Sequence, residues 1–204
     1  MKIKKIIFAG LLALAVISSI SVFTACKDNG NTGAAESGNY QKVQFEMENG
    51  DKFVVELYPE YAPETVENFI KLTKDGFFDG LTFHRIVDGF MAQGGWLDAE
   101  GNPREADTIK GEFSENGYSK NTLKRTKGVI SMARADDPDS ASSQFFIMLG
   151  DNSGLNGGYA AFGKVIEGME VVEKFQEVER TINSLREIAT PVNPVVIKAV
   201  TILD

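Results

Sequence analysis

Between Leu81 and Phe162 the apolar residues come in short stretches, Leu81–Val87, Gly128–Ala133, Gln144–Leu149 and Ala160–Val165, parted by Gly, Asp, Asn and Pro. Turn residues at that spacing cut a chain into short strands, which bury their apolar faces as an antiparallel barrel or sandwich. The flanks fit the same plan. Val43, Phe45 and Met47 alternate with polar residues, as do Phe53, Val55 and Leu57, and Asn49-Gly50 lies between the two runs. Asn and Gly accept the positive φ of a type I′ turn, so a β-hairpin opens the domain.

Pro63 suits the first turn of a helix, and Val66, Phe69 and Ile70 recur at helical spacing until Gly76, which predicts a helix over Pro63–Lys74. Val171, Val172 and Phe175 share one helical face, which predicts a second helix over Gly168–Val178. Val195–Leu203 reads as a closing strand, and Glu179–Pro194 as a charged surface excursion whose structure stays open. The expectation is a mainly β fold with two helices on a closed sheet.

Composition narrows the function. The 204 residues are 43% hydrophobic, enough for a packed core, so collagen-like repeats and whole-chain disorder are excluded. A net charge of −8 argues against a nucleic-acid surface, which concentrates Lys and Arg to displace phosphate counterions. With one cysteine and one histidine there is no internal disulfide, no cysteine cluster and no multi-histidine zinc site.

Lys2, Lys4 and Lys5 precede an uncharged apolar run, Ile6–Ile20. That is the layout of an export signal, and it falls short of the roughly 20 residues of a membrane-spanning helix. Thr24 and Ala25 lead into Cys26, followed by the polar Lys27–Asn39. This resembles a bacterial lipoprotein signal, whose cysteine becomes the lipidated first residue of the mature chain. The alternatives are a plain cleaved signal and a buried Cys26, and Lys27, Asp28 and Asn29 oppose the second because polar groups are costly to bury. The domain plan is a signal over residues 1–25, a flexible tether over 26–40 and a folded domain over 41–204, exported and anchored to the membrane through Cys26.

Two segments carry the chemistry: Phe83–Gly95 (FHRIVDGFMAQGG) and the stretch SMARADDPDSASSQFFIML ending at Leu149. Both resemble signature stretches of the cyclophilins, peptidyl-prolyl cis-trans isomerases built on an eight-stranded barrel capped by two helices. The similarity continues through Leu155–Val165 and covers the chain from about Gln41 to Asp204. It implies a groove with Arg85, Phe90 and Gln93 as catalytic residues and Met91, Ala133, Arg134, Gln144, Phe146, Leu155 and Tyr159 as substrate-binding ones. Arg134 and Tyr159 stand where the best-known eukaryotic members have Asn and His. Gly154 stands where those members have a Trp that helps bind cyclosporin, which implies weaker inhibition here.

The implied reaction needs no cofactor, metal, nucleophile or general acid. In a twisted peptide bond the nitrogen lone pair is no longer delocalised, and Arg85, always protonated, can donate to it only then. Phe90, Met91, Phe146 and Leu155 would hold the proline ring, Gln93 the moving carbonyl, and the Arg134 backbone the flanking chain. The expected partners are proline-containing unfolded or exported polypeptides, handled by a monomer. A membrane-anchored module that binds proline segments without turnover is the alternative, and a solute-capturing lipoprotein is a third class. Taken singly, each apolar residue reads as core, Arg85 as a surface ion pair, His84 as a structural histidine, and Asp136, Asp137 and Asp139 as a solvated turn. Trp96 has no assigned role.

Overall fold

The computed structural model describes residues 40–204. The expected signal over 1–25, Cys26 and the tether up to residue 39 lie outside the described residues.

Lys42–Met47 (β1) and Lys52–Leu57 (β2) form the expected hairpin, with Val43, Phe45 and Met47 buried on one face of β1. Its turn differs from expectation. The Gly50 N–H donates to the Met47 carbonyl and the Met47 N–H to Asp51, and only Gly50 has positive φ (+86°), not Asn49. The loop is thus a three-residue turn with a left-handed glycine at its end. Asn49 contributes through its side-chain oxygen, which accepts from the Asp51 N–H at 3.0 Å.

Helix α1 spans Pro63–Lys74, as its periodicity predicts, and buries Val66, Phe69 and Leu72. It stops where Gly76 adopts φ +63°, letting Gly76 and Phe77 donate to the Thr73 and Leu72 carbonyls. Its start has no local cap, since the preceding residue is Ala62. Buried Glu112 supplies one from a distance: its carboxylate accepts from the Glu64 N–H (3.1 Å), the Thr65 N–H (2.8 Å) and the Thr65 hydroxyl (2.7 Å).

The remaining strands of the main sheet are Leu81–Val87 (β3), Met91–Asp98 (β4), Val129–Met132 (β5), Phe145–Met148 (β6), Ala161–Glu167 (β7) and, at the chain's end, Ile197–Leu203 (β10). All pairings are antiparallel, and the eight strands run in the order β10-β1-β2-β7-β5-β6-β4-β3. The sheet curls until its edges meet at a single bridge, Thr82 to Val196, with the Phe83 N–H donating to Val195 and the Gly80 N–H to Ile197. It is therefore a strongly curled sheet rather than a barrel closed by a continuous ladder.

Within the curl, Phe45, Phe69 and Phe145 meet with ring centroids 5.6–6.3 Å apart, and α1 packs over this core. The second helix is shorter than expected: α2 covers Met169–Lys174, and Phe175–Glu177 tightens to a 3-10 turn. Val171, Val172 and Phe175 are nevertheless buried together.

The open segment 179–194 is a hairpin of its own, Arg180–Ile182 (β8) with Ile188–Pro191 (β9). Arg180 holds it to the body, donating to both Asp88 carboxylate oxygens (2.5 and 2.9 Å), to the Ile86 carbonyl and to the Gln176 carbonyl.

Glu112→Ala should strand three donors at the start of α1, two of them on a buried threonine, and cost about 2–4 kcal/mol, since each buried orphan costs ~1–3 kcal/mol. Urea unfolding of the variant against wild type measures this. A loss below half a kcal/mol would show that water replaces the carboxylate.

Candidate active site

Strand register brings the predicted residues together. Arg85 on β3 pairs with Gln93 on β4, Gln93 with Phe146 on β6, and Phe146 with Ser131 on β5, a row across four strands. Along β6 the side chains alternate: Phe145 and Ile147 enter the inner core, while Phe146 and Met148 face outward. The outward face is buried too, because Met91, Val129 and Ala161 pack there and Phe90, Leu123, Ala133, Leu155 and Tyr159 ring it.

Strand β4 fits between its neighbours because of two glycines. A Cβ on Gly94 would stand 2.8 Å from the Thr82 carbonyl oxygen, and one on Gly95, at φ +85°, 2.7 Å from that of Ser143. Any other residue would push the sheet open beneath the groove.

Nine of the ten predicted groove residues line one cavity of about 280 Å³: Arg85, Phe90, Met91, Gln93, Ala133, Arg134, Phe146, Leu155 and Tyr159. The tenth, Gln144, does not line this cavity but touches it through Gln93, whose Nε2 donates to Gln144 Oε1 at 3.0 Å. Gln93 Oε1 in turn accepts from Arg85 Nη1 at 3.1 Å. Phe146 and Tyr159 meet edge to face at 5.4 Å, and the Arg134 guanidinium lies 5.1 Å from the Tyr159 ring and 5.0 Å from Phe113.

The loop bearing Leu155 and Tyr159 is braced from beneath by Arg125, which is 2% exposed and donates to the Tyr159 carbonyl, while the Arg125 N–H donates to Asn156 Oδ1 at 2.9 Å. Burial lowers the Arg125 guanidinium to about 10.

Two residues of the site escaped the sequence reading. Leu185, at the tip of the β8–β9 hairpin, lines the cavity, and Glu187 grips Arg85 through both oxygens: Nε to Oε2 at 2.8 Å and Nη2 to Oε1 at 2.7 Å. The Arg85 hydrogen bonds hold the Glu187 carboxyl at about 2, against an ordinary 4.5. No spacing in the sequence signals a contact made across 102 residues.

His84 does not line the cavity. Its ring sits edge-on to Trp96, with centroids 5.8 Å apart, which gives Trp96 a packing role. Among the three aspartates, Asp139 accepts from the Gly111 N–H and the Asn116 amide and so ties its turn to a neighbouring loop. Among the described residues no group of His, Cys, Asp or Glu is placed to hold a metal ion.

Burial, with the Arg85 charge adding to it, pushes the His84 imidazole down to about 4 from an ordinary 6.5. Unfolded chains take up this proton near 6.5 and the folded protein only near 4, so stability falls as pH drops through that window, on the order of 3 kcal/mol by its lower end. As the chain has one histidine, its NMR titration is unambiguous. A midpoint near 4 is expected, and one near 6.5 would contradict the burial described.

Comparison with known proteins agrees with this geometry. The family model described as cyclophilin type peptidyl-prolyl cis-trans isomerase/CLD matches residues 42–202. A peptidyl-prolyl cis-trans isomerase of Acinetobacter baylyi is 42% identical over 156 residues, covering 72% of this chain and 78% of its own. Peptidyl-prolyl cis-trans isomerase B of Bacillus subtilis is 45% identical over 126 residues, covering 62% and 84%. Among solved structures, the cyclophilin AquaCyp293 from Hirschia baltica superposes with a TM-score of 0.62 at 26% identity, over 78% of this chain and 73% of its own. A Cryptosporidium parvum cyclophilin type peptidyl-prolyl cis-trans isomerase, solved in the presence of the dipeptide Ala-Pro, gives 0.61 at 26% identity, over 80% and 99%.

Proposed function

We propose that this chain, which belongs to the cyclophilin type peptidyl-prolyl cis-trans isomerases, carries out its isomerisation in the groove beside Arg85 and acts on exported polypeptides outside the cytoplasm. One observation supports the first part above all: an arginine nitrogen, Nη1, is held beside a cavity walled largely by apolar side chains, with Gln93 Oε1 accepting from it at 3.1 Å.

Rotation about an X-Pro bond is slow because the nitrogen lone pair is shared with the carbonyl, at a barrier of about 18–20 kcal/mol. Halfway through the rotation the pair returns to the nitrogen, which becomes a hydrogen-bond acceptor. A donor waiting there bonds the twisted state and not the planar one, so its contribution lowers the barrier. Arg85 Nη1 is that donor. Phe90, Met91, Phe146 and Leu155 fix the proline ring by apolar burial, so that rotation takes place in the segment outside the pocket. Gln93, braced by Gln144, offers the carbonyl a partner as it swings.

Arg85→Ala should lower kcat/KM by about 10²–10³, the cost of one transition-state donor. Phe146→Ala should raise KM as well, because it opens the pocket floor. A protease-coupled assay with proline peptides, with circular dichroism to confirm the fold, reads both. Wild-type activity in folded Arg85→Ala overturns the groove assignment.

The second part rests on residues 1–39: Lys2, Lys4 and Lys5, the run Ile6–Ile20, and Cys26 before a polar spacer. Outside the cytoplasm, isomerisation taking tens to hundreds of seconds slows the maturation of exported chains, and a tethered isomerase would meet them there. Metabolic labelling with a fatty acid should mark the wild type and not Cys26→Ala. Absence of label on the wild type removes the anchor from the proposal.

A further inference from the structure

We propose that Glu187 is a positioning residue for the isomerase reaction: from the β8–β9 hairpin it orients the Arg85 guanidinium so that Nη1 faces the proline cavity. The proposal rests on the assignment of the reaction to the Arg85 groove.

A guanidinium is a planar fork of five N–H donors, and two parallel bonds to one carboxylate fix its plane. Glu187 takes Nε and Nη2, at 2.8 and 2.7 Å. Nη1 is the nitrogen it leaves, and this one meets Gln93 Oε1 at 3.1 Å, with the Met91 sulfur 3.8 Å away. Both of those residues line the cavity.

Arg85 would otherwise have somewhere else to go. It also lines a second cavity of about 380 Å³, whose other walls include Thr82, His84, Asn183 and Leu185. A side chain with four rotatable bonds and room on two sides divides its time between them, and misplacement by even ~1 Å can cost as much as ~10²-fold in rate.

Glu187 is itself held in place. Asn183 Nδ2 donates to Glu187 Oε2 at 2.9 Å, and Asn183 Oδ1 accepts from the Leu185 and Glu187 N–H groups, both at 2.9 Å. Arg186, between the last two, takes φ +64°, the only positive value outside glycine among the described residues. Arg180 pins the hairpin's base to Asp88 and β3. The strained turn and the braced carboxylate serve one geometry.

The sign of the effect separates orientation from charge. A carboxylate against the guanidinium partly cancels its field, so if field alone mattered, removing Glu187 would speed the reaction. Orientation predicts the reverse: in the full chain, Glu187→Ala should lower kcat about tenfold or more with KM nearly unchanged. In an Arg85→Ala background the same change should cost less than twofold, because there is no guanidinium left to place. Glu187→Gln, which keeps the shape and one acceptor, should recover part of the loss.

A rise in kcat, unchanged kcat, a loss confined to KM, or an equal loss in both backgrounds overturns the proposal. Should Glu187→Ala fail to fold, the wild type still decides. The Arg85 Nε–H proton, identified by its absence in Arg85→Lys, should exchange with solvent at least tenfold more slowly than those of exposed arginines, and equal exchange overturns the proposal. Impaired Arg85→Ala beside wild-type Glu187→Ala sinks the positioning role alone. Wild-type activity in Arg85→Ala sinks the groove assignment beneath it.

Discussion

Phe145 and Phe146 are neighbours in the chain and point to opposite sides of one strand, the first into the core beneath α1 and the second into the floor of the groove. A strand whose every residue is buried cannot shift by one position, because a slip exchanges the two faces completely. Packing therefore fixes the register of β6, and through its pairings that of β4 and β5. The row from Arg85 to Phe146 inherits its spacing from that constraint. The groove is accurate because the core behind it is full.

On this rigid floor the polar groups form a line. Glu187, Arg85, Gln93 and Gln144 are joined in sequence by bonds of 2.7–3.1 Å. Each member limits the rotamers of the next, although Arg85 and Glu187 stay partly open to solvent. The line begins on a carboxylate and ends on an amide, and its one positive charge, Arg85, lies at the cavity wall.

The sequence made the strands legible where side chains alternated or clustered, and α1 was legible at both ends because Pro63 and Gly76 are local signals. Strand β4 was hidden, since Gly94 and Gly95 carry no strand propensity; the close approach of Thr82 and Ser143 that requires them is visible only in three dimensions. The turn after β1 was misread because Asn-Gly can occupy either of two turn types, and the pair alone does not say which φ values are positive. The groove residues were recognisable through two signature stretches. Glu187 and the Glu112 cap were not, because each acts on a partner far along the chain. A lone acidic residue in a charged segment gives no hint that it faces inward.

The pairing of β1 with β10 has a consequence for how the protein comes into being. The strand that opens the domain finds its neighbour in the strand that ends it, and Glu46 meets Lys198 across 152 residues. Loop closure over such separations is slow, and a chain synthesised from its N-terminus presents β10 last. Until then β1 has an open edge, although the β8–β9 hairpin, which lies earlier in the chain, is already present. The sheet that carries the groove therefore completes its curl only once the chain's own last strand is in place.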